Sequence, residues 1–95
     1  MSLPKHVFAH TLRDFFKPID SLLTDESISE ILLNGYDEIY VERHGVLEKV
    51  NARFPREADF IAALNNLAQS LGKTLDSGDP VLEGVHRVAG RESLR

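Results

Sequence analysis

Between residues 38 and 50 the chain doubles back on itself, and that reversal limits what the rest can become. Glu38 to Arg43 alternates Ile39 and Val41 with Tyr40 and Glu42, and after His44-Gly45 the segment from Val46 to Val50 alternates again. A period of two puts the apolar set on one face of a strand. An X-Gly pair between two such runs suits a two-residue loop whose second position takes positive φ, which glycine does without a Cβ clash. The segment predicts a β-hairpin, and a lone hairpin needs further partners to be stable. Upstream, Ile31-Leu32-Leu33 followed by Asn34-Gly35 reads as a buried strand running into a turn, the first strand of the sheet.

The flanking segments have a helical period. From His6 to Leu23 the residues Phe8, Leu12, Phe15, Phe16, Ile19, Leu22 and Leu23 form one apolar stripe. Pro18 interrupts it, because proline inside a helix loses a hydrogen bond and clashes with the preceding turn. Two short helices meeting near Lys17 are expected. Thr24-Asp25-Glu26-Ser27 offers capping oxygens, and Ser27 with Glu30 has capping-box spacing, so a short helical turn is expected there. Residues 56–71 carry Phe60, Ile61, Leu64, Leu67, Ala68 and Leu71 at helical spacing, with Gly72 as the stop. Beyond a polar loop, Pro80-Val81-Leu82 reads as another strand, Ala89-Gly90 as its turn, and residues 91–95 as the opening of a return strand. A terminus in mid-strand predicts a piece of a longer protein. Met1-Ser2-Leu3 is read as a cloning remnant without structural weight.

The fold class expected from these segments is α+β: N-terminal helices, an antiparallel hairpin-rich sheet, and one amphipathic helix packed on it. At 95 residues and 42% hydrophobic content the chain can bury one modest core. It has no cysteine, so neither disulfides nor thiolate metal sites contribute. Its formal charge of −4 disfavours broad contact with a phosphate backbone, so no nucleic-acid partner is expected. No apolar run approaches the roughly 20 residues of a membrane span, and no signal peptide opens the chain, so a cytoplasmic location is expected.

The run from Pro18 to Gly35, containing Glu30-Ile31-Leu32-Leu33-Asn34-Gly35, then Tyr40-Val41-Glu42-Arg43 and Gly45, resembles the opening of the type II/type IV secretion ATPases. It is most similar to the tight-adherence pilus branch. The similarity continues through Phe54, the helix to Gly72 and Asp79-Pro80-Val81, and implies a helical lead-in over residues 1–17 and the N-terminal domain of the motor over residues 18–95. That family's domain covers nucleotide bound to a downstream motor domain, helps to build a hexamer, and works with inner-membrane secretion or pilus machinery. ATP and Mg are thus implied for the parent protein and no cofactor for this fragment, with peripheral attachment to the inner membrane through the machinery. Where the family has Pro-x-x-Asp-Ala-Arg, this chain has Glu83-Gly84-Val85-His86-Arg87, so Arg87 and Arg91 are both candidates for the nucleotide-facing arginine.

The phosphate-binding loop Gly-x-x-x-x-Gly-Lys-Ser/Thr is absent, since Gly72-Lys73-Thr74 lacks the upstream glycine, and the fragment is expected to be non-catalytic. On their own residues, Arg87 and Arg91 read as solvated strand arginines. His6 and His10 have the i, i+4 spacing of two metal ligands on one helix face but no evident third ligand, while His44 and His86 read as turn and strand residues. Asp76, Asp79 and Glu83 suit loop hydrogen bonding better than an acid/base pair or a Mg²⁺ site. The three phenylalanines Phe8, Phe15 and Phe16 read as core. The alternative to the motor reading is a self-contained protein-interaction adaptor docking through its N-terminal helices.

Overall fold

A computed structural model describes residues 1–93. Strand β1 (Ser2–Pro4) is followed by two 3-10 segments, Lys5–His10 and Arg13–Ile19, and a single α-turn, α1 (Asp20–Leu23). Next come β2 (Ile28–Gly35), β3 (Glu38–Arg43) and β4 (Val46–Lys49), then helices α2 (Glu57–Gly72) and α3 (Pro80–Ser93). The strands form one antiparallel sheet in the order β1-β2-β3-β4. The architecture is α+β.

The alternation that marks the hairpin also sets the register. Ile31 lies opposite Val41 and Leu33 opposite Ile39, all fully buried, while the intervening Leu32 lies opposite Tyr40 on the open face. His44 and Gly45 both take positive φ, 53° and 80°, the left-handed pair that matches the twist of a two-residue hairpin. In β4 the alternation has no consequence for burial, because every residue of this edge strand is exposed. Strand β2 starts at Ile28, earlier than its apolar triplet suggests, and irregularities follow Ile28 and precede Gly35.

Several sequence expectations are corrected. Met1-Ser2-Leu3 has structural weight: Ser2 and Leu3 pair with Leu32 and Ile31, the side chain of Leu3 is buried on the core face of the sheet, and the Leu33 N–H donates to the Met1 carbonyl at 2.8 Å. The lead-in is mostly 3-10 rather than α-helical, with Phe16 outside helical geometry and Pro18 inside the second segment. The turn at Asp25 is not a helical cap. The Asp25 carboxylate instead takes both the N–H and the hydroxyl of Ser27, at 2.9 and 2.6 Å, and Glu30 lies in β2 where it accepts from the Ser2 hydroxyl. Gly72 is the last residue of α2 rather than a left-handed stop beyond it, and Lys73 caps the helix in right-handed geometry.

The largest correction is at the end of the chain. The strand expected from Pro80, its turn at Ala89-Gly90 and the start of the return strand are one helix, α3. Proline is welcome in a first helical turn, and Asp79 just before it accepts the Val81 N–H at 2.9 Å, which supplies the cap. Leu82, Val85 and Ala89 then recur on one buried side. A second long helix, packed against α2, therefore joins the one expected. Residues 94 and 95 of the expected return strand lie outside the described residues.

One core unites these parts. Leu3, Val7, Phe8, Phe16 and Ile19 from the lead-in join Ile31, Leu33, Ile39 and Val41 of the sheet, Phe60, Leu64, Leu67 and Leu71 of α2, and Val85 of α3. Phe8 and Phe16 are core as expected, whereas Phe15 is 38% exposed and Leu12 61%, both at the surface.

Candidate functional site on the outer face of α3

Helix α3 turns Leu82, Val85 and Ala89 into the core against α2 and leaves Glu83, His86, Arg87 and Arg91 exposed. Arg87 and Arg91 are one helical turn apart, so their guanidinium groups rise from the same side. They are helix arginines, which corrects the strand placement. Among the described residues neither forms an ion pair, although Glu83 stands one turn before Arg87. The chain's amino terminus is held below its ordinary pKa, first by burial and then by the charge of Arg91. The Met1 ammonium donates a hydrogen bond to Asn34 Oδ1 at 3.3 Å. A guanidinium pair of this kind can offer parallel N–H donors to an anionic oxygen cluster.

The other candidates are dispersed. Asp79 is occupied as the α3 cap, Asp76 contributes its carbonyl to the loop through the Asp79 N–H at 2.9 Å, and Glu83 is exposed. His44 occupies the hairpin turn, His86 the outer side of α3, and His6 the first 3-10 segment; the side chain of His10 lies outside the described residues. Among the described residues no three His, Asp or Glu side chains come together as a metal site. No helix there is long and apolar enough to cross a membrane.

Arg43, the last residue of the Tyr40 to Arg43 motif, makes the densest polar cluster of the described residues. Its guanidinium meets Asp25 at 2.6 Å, Glu48 at 2.9 Å and the Ser27 hydroxyl. Hydrogen bonds from the Ser27 hydroxyl and Arg43, and from the Ser27 N–H, hold the Asp25 carboxyl well below the usual carboxylate range. The cluster ties the turn before β2 to the β3–β4 hairpin, so the role it plays here is structural. The sequence contained a signal for it: Asp-x-Ser directly before a strand favours a side-chain turn.

Two surface grooves lie away from the arginines. One, about 510 Å³, runs between Phe15, Pro18, Pro55 and Ala62, with Asp14, Lys17 and Asp59 at its margin. The other, about 330 Å³, is bounded by Lys5, His6, Thr11 and Arg13. Its two cations are already engaged, Lys5 with the Asp25 carbonyl at 2.6 Å and Arg13 with Asp20.

Fold and surface together define a small two-layer α+β domain with an exposed arginine pair on its last helix. No family model, curated protein or solved structure matches the chain.

Proposed function

We propose that this chain is the N-terminal domain of a secretion or pilus-assembly motor ATPase, a non-catalytic part that covers nucleotide held by a downstream motor domain and contributes to a hexamer. The reading is carried by one observation. The ordered motifs, Glu30 to Gly35, Tyr40 to Arg43 with Gly45, and the helix ending at Gly72, occupy β2, β3, the hairpin turn and, after β4, α2. Each motif is commonplace alone; their order with this spacing is what resembles the family.

On this reading Arg87, Arg91 or both approach phosphate oxygens of ATP when the motor domain is present, with Mg held by that domain. The guanidinium groups supply charge-assisted hydrogen bonds and positive potential, and the motor domain supplies the phosphate-binding loop and hydrolysis. The reading places the parent in the cytoplasm beside inner-membrane machinery.

The direct test is the native coding sequence following Arg95. It should continue into a Gly-x-x-x-x-Gly-Lys-Ser/Thr loop, and a gene without one removes the proposal. In the longer protein, Arg87→Ala and Arg91→Ala should be assayed separately for ATP hydrolysis. Loss in neither, with the assembly intact, removes the nucleotide role while leaving the assembly role.

The adaptor reading is favoured by a different feature, the exposed Leu12 and Phe15 beside the groove at Pro18 and Pro55. Nucleotide-independent binding to a protein partner, lost on Phe15→Ser, would support it.

A further inference from the structure

Strand β4 is an open sheet edge with an unusual surface. Its first two residues, Val46 and Leu47, are 62% and 54% exposed. Exposed apolar edges are templates for further strand pairing, and proteins ordinarily blunt them. The opposite edge, β1, is three residues long and ends in Pro4. Strand β4 is also short, four residues, but its charged residues Glu48 and Lys49 fall in its second half and leave Val46 and Leu47 unguarded beside the turn.

The two apolar side chains lie on opposite faces. Glu48 stands opposite the inward-facing Val41, so Val46 shares the helix side of the sheet, whereas Leu47 stands opposite Glu42 on the open side. A partner lying on either face would cover only one of them. A strand added alongside β4 covers both, and it also satisfies the backbone groups of the edge.

The hydrogen-bond phase restricts which strand fits. The Val50 N–H donates to the Ile39 carbonyl at 3.0 Å, so the backbone groups of Val46, Glu48 and Val50 point toward β3. Those of Leu47 and Lys49 therefore point outward. An antiparallel copy of β4 must bring outward-pointing residues together, which requires odd-numbered residues to face odd-numbered ones. Centring the pair on Glu48 sets two carboxylates directly opposite each other, a destabilising arrangement. Centring it on Leu47 sets leucine on leucine, Val46 beside Glu48 of the second copy, and Gly45 beside Lys49 of the second copy, with no like charges opposed.

We propose that two copies of this chain pair antiparallel through β4 about a two-fold axis at Leu47, forming one continuous sheet. So short an interface falls below the about 1,200 Å² of stable complexes, so the dimer is weak and concentration-dependent. The pairing is independent of the motor reading, since it rests on the edge geometry alone.

The test is sedimentation velocity of the full chain from micromolar to millimolar concentration. Wild type should shift from monomer to dimer. Leu47→Pro removes an outward-pointing N–H that β3 does not use, so it should weaken dimerisation at least about tenfold while the far-ultraviolet circular dichroism is kept. If that variant fails to fold, Leu47→Lys, which places two like charges on the axis, should do the same. Leu12→Lys removes another exposed leucine and should leave the dimer intact. A wild type that stays monomeric overturns the pairing, whether β4 is then bare or takes an extended segment of another protein. So does a dimer that survives both Leu47 variants or is lost in Leu12→Lys.

Discussion

The ring of Phe16 meets that of Phe54 edge-on, with centroids 6.2 Å apart and planes at 78°. Phe8 stands edge-on to Phe16 at 5.2 Å, and Phe60 packs on Phe54 at 5.3 Å, so a continuous aromatic row runs from the lead-in through the loop before α2 into α2 itself. Phe16, Phe54 and Phe60 are fully buried. This row fastens the irregular N-terminal segments to the regular part of the fold, where backbone hydrogen bonding alone is sparse.

Phe54→Ala should cost roughly 3–5 kcal/mol, the range for emptying a buried aromatic site, and Phe16→Ala a similar amount. In a domain this small such a loss approaches the whole stability, so the gentler pair Phe16→Leu and Phe54→Leu is the practical one. A double-mutant cycle in urea should give a coupling of about 0.5–1.5 kcal/mol. Additive effects would mean that the edge-on contact contributes nothing beyond area.

Asp25 makes stability depend on acid. Its folded pKa is depressed by Ser27 and Arg43, so its contribution is present above the unfolded value of about 3.9 and is lost as pH falls from there toward the folded value. Asp25→Asn should lower the melting temperature at pH 7, and the gap to wild type should narrow below about pH 4. A gap that is constant down to pH 2 would show that the carboxylate charge is not the cause.

At the hairpin turn, Gly45 has φ 80° and open space around its missing Cβ, so any cost of a side chain there comes from the backbone and not from a clash. Gly45→Ala should destabilise by about 1–2 kcal/mol. His44→Asn, which suits φ 53° better, should be neutral or stabilising. Thermal melts of both variants check this, and an unchanged Gly45→Ala would contradict the left-handed turn.

Asp79→Ala removes the cap of α3 and should cost about 1 kcal/mol. Hydrogen exchange should report it locally, with faster exchange in the first turn of α3 and unchanged protection in β2 and β3. Uniform acceleration would mean that α3 does not fray separately.

The sheet was legible where side-chain periodicity and turn chemistry agreed, as at Ile39, Val41, His44 and Gly45. Helix α2 is legible because its apolar residues, Phe60 to Leu71, span about three turns. Helix α3 was not, since Pro80-Val81-Leu82 combines a proline with a β-branched residue and Ala89-Gly90 resembles a turn. Only tertiary burial of Leu82, Val85 and Ala89 overrides those local preferences. Strand β1 is not legible, because Met1-Ser2-Leu3 reads as a cloning remnant and three residues carry no measurable period; what defines it is pairing with Ile31 and Leu32, far along the chain. Of the candidate site, the sequence singles out Arg87 and Arg91, but their shared side follows only from α3, whose local sequence reads as strand and turn. Of the Arg43 cluster, the Asp25–Ser27 turn is legible as Asp-x-Ser, but the contact of Arg43 with Asp25 spans 18 residues, beyond any local pattern.

The pairing of Ser2 with Leu32 has a bearing on how the protein is made. A ribosome releases the N-terminus first, so Leu3, Val7 and Phe8 emerge long before the strand that covers them exists. At about 5–20 residues per second that interval lasts seconds, whereas a hairpin such as β3–β4 closes in microseconds once its residues are free. Strand β1 therefore waits for β2, and the side chain of Leu3 stays uncovered until that partner has been made.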